Sequence, residues 1–204
     1  MNQKMIKQIM ISSLGLFLRG LGVGLMLYAG LGSNAATVFQ MGFSLLVKMP
    51  YGTGAALINI IIILLIYCYK KKYIHISSFL AIFLIGYSAD FLMYVLGYLD
   101  INTTFQINLV LSIVGCYLQA LGTVIYIQAG LGVGALDVVA EIVSDEFNFD
   151  YQVVRMLYDA VLLIIGFARG GIVGLGSILS LVLSGWMMKS ILPKTLTLLK
   201  PYLT

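Results

Sequence analysis

Charge, proline, cysteine and histidine are all scarce in this chain. Only 10% of its 204 residues are charged and 61% are hydrophobic, whereas a soluble domain carries about a quarter charged residues. Mean hydropathy is +1.03, which excludes an ordinary soluble domain and implies an integral membrane protein with the lipid bilayer as its surroundings. With 3 Pro, the long apolar runs are free to continue as helices, while 22 Gly suit helices whose backbones approach closely. Cys68 and Cys116 lie inside apolar runs without C-x-x-C or Cys/His spacing, which argues against a disulfide framework or a metal site. The net charge of +4 implies no nucleic-acid partner, because the lysines sit at span ends and no basic patch alternates with aromatics. There is no Ser/His/Asp set, no H-E-x-x-H and no G-x-x-x-x-G-K-[ST], so the sequence reads as that of a non-enzyme without a cofactor.

What the chain does have is an internal repeat. Leu21-Gly22 and Ala29-Gly30-Leu31-Gly32 recur 100 residues later as Leu121-Gly122 and Ala129-Gly130-Leu131-Gly132. The register persists through Val38 and Val138, Ser44 and Ser144, and Tyr51 and Tyr151. After a one-residue deletion, Ser78, Leu80, Leu84 and Gly86 match Ser177, Leu179, Leu183 and Gly185. The expected units are therefore residues 1–100 and 101–204.

A bilayer core of about 30 Å needs roughly 20 apolar residues per helix. The apolar runs give six spans, near 9–28, 53–69, 76–98, 106–128, 151–167 and 171–190. The first resembles a signal peptide in its Lys4 and Lys7 flank, but it carries Arg19 and is the repeat partner of an internal segment around Gln119, so it reads as a retained span. Three spans per copy is an odd number, and an odd-span repeat enters the membrane from opposite sides in its two copies. The expected fold is thus all-α: six transmembrane helices as two inverted three-helix repeats. Lys4, Lys7, Lys70, Lys71, Lys72, Lys189, Lys194 and Lys200 fall on one side, against Lys48 and Arg169 on the other. That bias places both termini in the cytoplasm of a multi-pass inner-membrane protein. Asn102-Thr103-Thr104 matches a glycosylation sequon and is read as coincidence.

After the first span of each copy comes a segment, 30–50 or 130–150, that opens with AGLG and continues as a helical pattern too short to span. One reading is a plain helix stop and connection. The other is a broken or re-entrant half-helix, with Gly30, Gly32, Gly130 and Gly132 supplying the break and the two half-helices converging near the pseudo-axis.

Charges at membrane depth are costly and usually pair or face a cavity. Arg19, Asp90, Arg155 and Asp159 are the charges within the spans. Arg155 and Asp159 share a helical face at i, i+4, either as a structural ion pair or as part of a substrate site, and Arg19 is expected to reach Asp90. Equivalent positions differ in chemistry: Arg19 matches Gln119, Thr37 matches Asp137, Asn59 matches Asp159 and Asp90 matches Lys189. Asn34 and Asp137, on the short segments, complete the candidate substrate-binding set. His75 reads as a headgroup-level residue, and Trp186 with several tyrosines as an aromatic belt. Gly20-Leu-Gly-Val-Gly24 has G-x-x-x-G spacing, which serves either a homodimer or packing within the chain.

The segments LGVGLMLYAGLGSNAATVFQMG, LGTVIYIQAGLGVGALDVV and VVRMLYDAVLLIIGFARGGIVGLGS resemble the YczE/YitT-type small bacterial membrane proteins over nearly the whole chain. Arg155, Asp159, Gly170, Gly171, Gly174, Gly176 and Ser177 stand on the matching positions. The resemblance implies a bacterial inner-membrane protein and no particular substrate. Ser33-Asn34-Ala35 departs from the Ser-Pro-like break of that family, which implies a softer first break.

The functional expectation is a small secondary transporter or facilitator whose partner is a small polar or charged solute. The alternatives are the substrate-binding subunit of an energy-coupling-factor-like transporter and a non-transporting scaffold.

Overall fold

Eight helices account for the fold in the computed structural model, which describes residues 3–99 and 104–203. They are α1 (Gln3–Ala29), α2 (Ala35–Leu46), α3 (Tyr51–Lys70), α4 (Ile76–Tyr98), α5 (Phe105–Gln128), α6 (Ala135–Phe147), α7 (Tyr151–Ala168) and α8 (Leu175–Leu203). Among the described residues there is no strand. Six helices are long and apolar enough to cross a membrane: α1, α3 with a 3-10 turn to Tyr73, α4, α5, α7 and α8. Asn102, Thr103 and the boundary between 100 and 101 lie outside the described residues.

The order long, short, long, long occurs twice. The short helices begin and end for local reasons. Asn34 Oδ1 accepts from the Thr37 amide at 2.9 Å to start α2, as an N-cap does. After each short helix one non-glycine residue turns left-handed, Lys48 at φ 53° and Asn148 at φ 51°, and these two are repeat mates. The breaks before the short helices also match: Gly30 and Gly32 have φ 66° and 94°, Gly130 and Gly132 have φ 71° and 89°. The softer first break expected from Ser33-Asn34-Ala35 is therefore not observed, because the glycines set the turn and Asn34 only caps the helix that follows.

The last span differs from expectation. It begins at Leu175 rather than 171 and continues to Thr197 as a span, since Gly170 at φ 90° and a Gly171 N–H donating to Gly166 O at 2.8 Å hold the preceding residues in a turn. Trp186 consequently lies midway along α8, exposed on its flank, and not in a belt at its end.

Lipid tails are as apolar as leucine, so helices in a membrane associate through close packing and polar contacts. The central contact joins α1 and α5 through glycine. A Cβ at Gly15 would meet Gly122 O at 2.8 Å, and a Cβ at Gly22 would meet Gly115 O at 2.5 Å. Rising number on one helix meets falling number on the other, so α1 and α5 run antiparallel. Exchanging the two copies turns the pair 15/122 into 115/22, which is the other contact.

Two further pairs of contacts exchange in the same way: α4 lies on α1 as α8 lies on α5, and α2 lies on α7 as α6 lies on α3. Leu31 O accepts from Gly176 N at 2.7 Å, and Leu131 O from Ser77 N at 3.0 Å, so each AGLG carbonyl caps the last helix of the other half. The two halves thus share one core. Gly20 and Gly24 press on α4, where added Cβ atoms would meet Ile85 O at 2.6 Å and Ala89 O at 2.8 Å; the G-x-x-x-G spacing serves packing within the chain. The exchange also explains an orphan. Ser12 Oγ bonds Ser77 Oγ at 2.9 Å, whereas its mate Ser112 is buried without a partner among the described residues because the residue matching Ser77 is Gly176.

Candidate solute-binding cavity

The first turns of α2 and α6 meet inside the bundle, where Ala35, Ala36 and Leu136 share a buried cluster with Leu162 of α7. Beside that meeting point lies a cavity of about 420 Å³ between α5, α7 and α8, closed on its inner side by α1 and the two short helices. Arg19, Asn34, Gln119, Asp137, Arg155 and Asp159 line it, together with Thr123, Tyr126, Tyr151, Ser180 and Ser184.

Asp137 is the hub. Its Oδ1 accepts from Arg155 Nη1 at 2.7 Å and its Oδ2 from Arg19 Nη1 at 3.4 Å. Arg155 Nε also donates to Asp159 Oδ2 at 3.1 Å, the i, i+4 pair expected from the sequence. Arg19 Nη1 donates to Tyr126 Oη at 3.0 Å, and the Tyr126 hydroxyl donates to Asp137 Oδ2 at 3.3 Å. Two cations and two anions make the cluster formally neutral, which is how charges persist at membrane depth. One acceptor is left over: Asp159 Oδ1 is buried without a hydrogen-bond partner among the described residues. Asn34 Nδ2 donates to Gln119 Oε1, fixing the wall on the α2 side.

The expected Arg19–Asp90 pair is not formed. Asp90 sits away from this cavity, and its Oδ2 accepts from the Gly52 amide at 2.8 Å, at the start of α3. Arg19 instead points across α5 to the short helix of the other half, because α1 packs on α5 so closely that Tyr126 and Asp137 come within its reach. Asp137, which the sequence placed on the short segment, becomes the central anion. Tyr126 had no signal of its own in the sequence, and Gln119 had one only as the mate of Arg19.

The glycines of the breaks do not line this cavity. Gly32 lies against the turn before α8, where a Cβ would meet Ser177 Oγ at 2.6 Å and Gly174 N at 2.7 Å; Gly132 lies against His75. His75 is the mate of Gly174, so the same dock is built twice, and its Nδ1 is satisfied by Tyr73 O at 2.9 Å.

Comparison with known proteins gives the following. The model of a family described as "Family of unknown function (DUF6198)" matches residues 6–193. An "Uncharacterized protein" of Haemophilus influenzae is 29% identical over 173 residues, covering 85% of this chain and 78% of the relative. The "Uncharacterized membrane protein YczE" of Bacillus subtilis is 25% identical over 186 residues, 91% of this chain and 85% of the relative. "Uncharacterized protein YyaS" of the same organism is 24% identical over 185 residues, 88% and 90% of the two chains. These matches bear out the YczE-type resemblance. No solved structure matches this chain.

Proposed function

We propose a transport function for this chain, which belongs to the family of unknown function DUF6198: it is a small secondary transporter or facilitator of the bacterial inner membrane. It moves a small polar or charged solute by alternating access and leaves it chemically unchanged. The observation that carries this reading is the cavity of about 420 Å³ holding four charged side chains among helices that cross the membrane. Ligand pockets run from about 300 to 1,000 Å³, so a solute of a few heavy atoms fits.

The hydrogen-bonding capacity indicates what the solute presents. A guanidinium has five N–H donors, and Arg19 commits only Nη1. An acceptor group of the solute, such as a carboxylate, therefore finds donors on Arg19 and the positive ends of two short helices. A donor group finds the free Oδ1 of Asp159. A purely structural charge cluster would consume these groups.

The proposed frame is a pair of inverted repeats with cytoplasmic termini. Its support is the odd span count of each half, the antiparallel α1/α5 contact that exchanges onto itself, and the lysine bias of the sequence. A thermal-shift screen of purified protein against small carboxylates, amino acids and amines tests the site. Stabilisation by at least one compound, abolished in Asp159→Asn and Arg155→Gln, is the expected result; no stabilisation across the set counts against solute binding.

A further inference from the structure

The repeat exchange relates not only helices but cavities. A second pocket of about 30 Å³ is lined by Arg19, Thr37, Asn59, Ala81, Ile85 and Gly86. Their mates Gln119, Asp137, Asp159, Ser180, Ser184 and Gly185 all line the large cavity. The two are the same cavity in the two halves, one open and one collapsed. Arg19 and Asp137 line both, standing as the wall between them.

The difference lies in the seams. α3 packs along α4, whereas among the described residues α7 makes at most marginal contact with α8. A Cβ at Gly86 would strike Gly52 Cα at 2.8 Å, while at its mate Gly185 it would meet open space. Tyr51 is 8% exposed, its hydroxyl donating to Gln40 Oε1 at 2.8 Å; its mate Tyr151 is 46% exposed. Asp90 of α4 holds the Gly52 amide of α3 at 2.8 Å, and the residue matching Asp90 is Lys189, whose ammonium accepts no hydrogen bond.

We infer that the collapsed pocket is a second solute site, reached from the opposite face through the α3–α4 seam, with Asp90 as the latch that keeps it shut. The inference rests on the transport reading and names its two gates. When α3 parts from α4, Arg19, Thr37, Gln40 and Asn59 face the opening and receive the same class of solute, its acceptor group on Arg19. When α7 closes on α8, the large cavity collapses. Inverted repeats achieve alternating access by such an exchange of conformations.

Spin-label pairs across the seams test this without any solute. Leu57/Tyr87 and Leu157/Trp186 are mates, and all four are exposed. Each pair is replaced by cysteines in a background lacking Cys68 and Cys116, and distances are read in lipid nanodiscs. Asp90→Ala should lengthen the Leu57/Tyr87 distribution and shorten the Leu157/Trp186 one. Gly185→Leu, which fills open space and wedges α7 from α8, should shift the populations the other way and remains readable where Asp90→Ala fails to fold. Seams that do not respond, or that open together, overturn the inference. Such a result alongside ligand stabilisation in the thermal-shift screen overturns the gates alone and leaves the solute site standing.

Discussion

Arg155 donates through Nη1 to Asp137 Oδ1 at 2.7 Å, so that a carboxylate on α6 holds a guanidinium on α7 and, through its other oxygen, the Arg19 guanidinium on α1. Removing one partner of a buried pair costs about 3–5 kcal/mol because the other charge is left uncompensated. Asp137→Ala leaves Arg19 without a carboxylate and Arg155 with Asp159 alone, and should cost at least about 3 kcal/mol. Asp159→Ala, which leaves Arg155 its shorter contact, should cost less. Thermal unfolding in detergent gives the order. Equal losses would show that Asp137 is not the hub.

Arg155 and Asp159 should be coupled energetically, and so should Arg155 and Asp137. In double-mutant cycles on unfolding, the paired alanine variants should recover part of the summed single losses. Strict additivity would mean the side chains do not interact.

Gly30 and Gly32 differ in what surrounds them. Both have positive φ, but a Cβ at Gly30 meets nothing within 4 Å, whereas at Gly32 it meets Ser177 Oγ and Gly174 N. Gly30→Ala should therefore cost only the left-handed strain, about 1–2 kcal/mol. Gly32→Ala adds overpacking, about 1–3 kcal/mol more, and should lower Tm further. A Tm loss at Gly30 as large as at Gly32 would contradict the docking of the first break on the turn before α8.

The span count, the six-helix order and the paired breaks were legible because each rests on local signals: apolar run length, glycine at a positive-φ turn and a repeated register. The Arg155–Asp159 pair was legible for the same reason, since i, i+4 neighbours on a helix meet whatever the tertiary fold. The partner of Arg19 was not. It depends on how closely glycines bring α1 to α5, which brought Tyr126 and Asp137 rather than Asp90 to the guanidinium. Nor did composition reveal that one half is open and the other shut; equivalent residues differ there through packing, as Tyr51 and Tyr151 do.

Glu146 on α6 lies outside the spans and accepts from the Lys70 ammonium at 2.7 Å, which together with the Tyr69 hydroxyl holds it below the usual carboxylate range. A depressed carboxylate stabilises the fold above its unfolded pKa, and that stabilisation is lost as pH falls through its folded pKa. The Tm difference between the wild type and Glu146→Gln should hold from neutral pH down to the carboxylate range and vanish below it. Exposure makes the effect small, and it should shrink with added salt. A difference that grows with acidity would contradict the pairing.

Transport itself is tested most directly by uptake without presupposing the solute. Proteoliposomes carrying the wild type, or Asp137→Asn as the impaired control, are incubated with a defined mixture of small carboxylates, amino acids and amines, and their contents are quantified by mass spectrometry. At least one solute should enter wild-type vesicles faster than protein-free ones, with entry strongly reduced in the variant. Wild-type vesicles that admit every compound at the protein-free rate, while the protein remains folded, would contradict it.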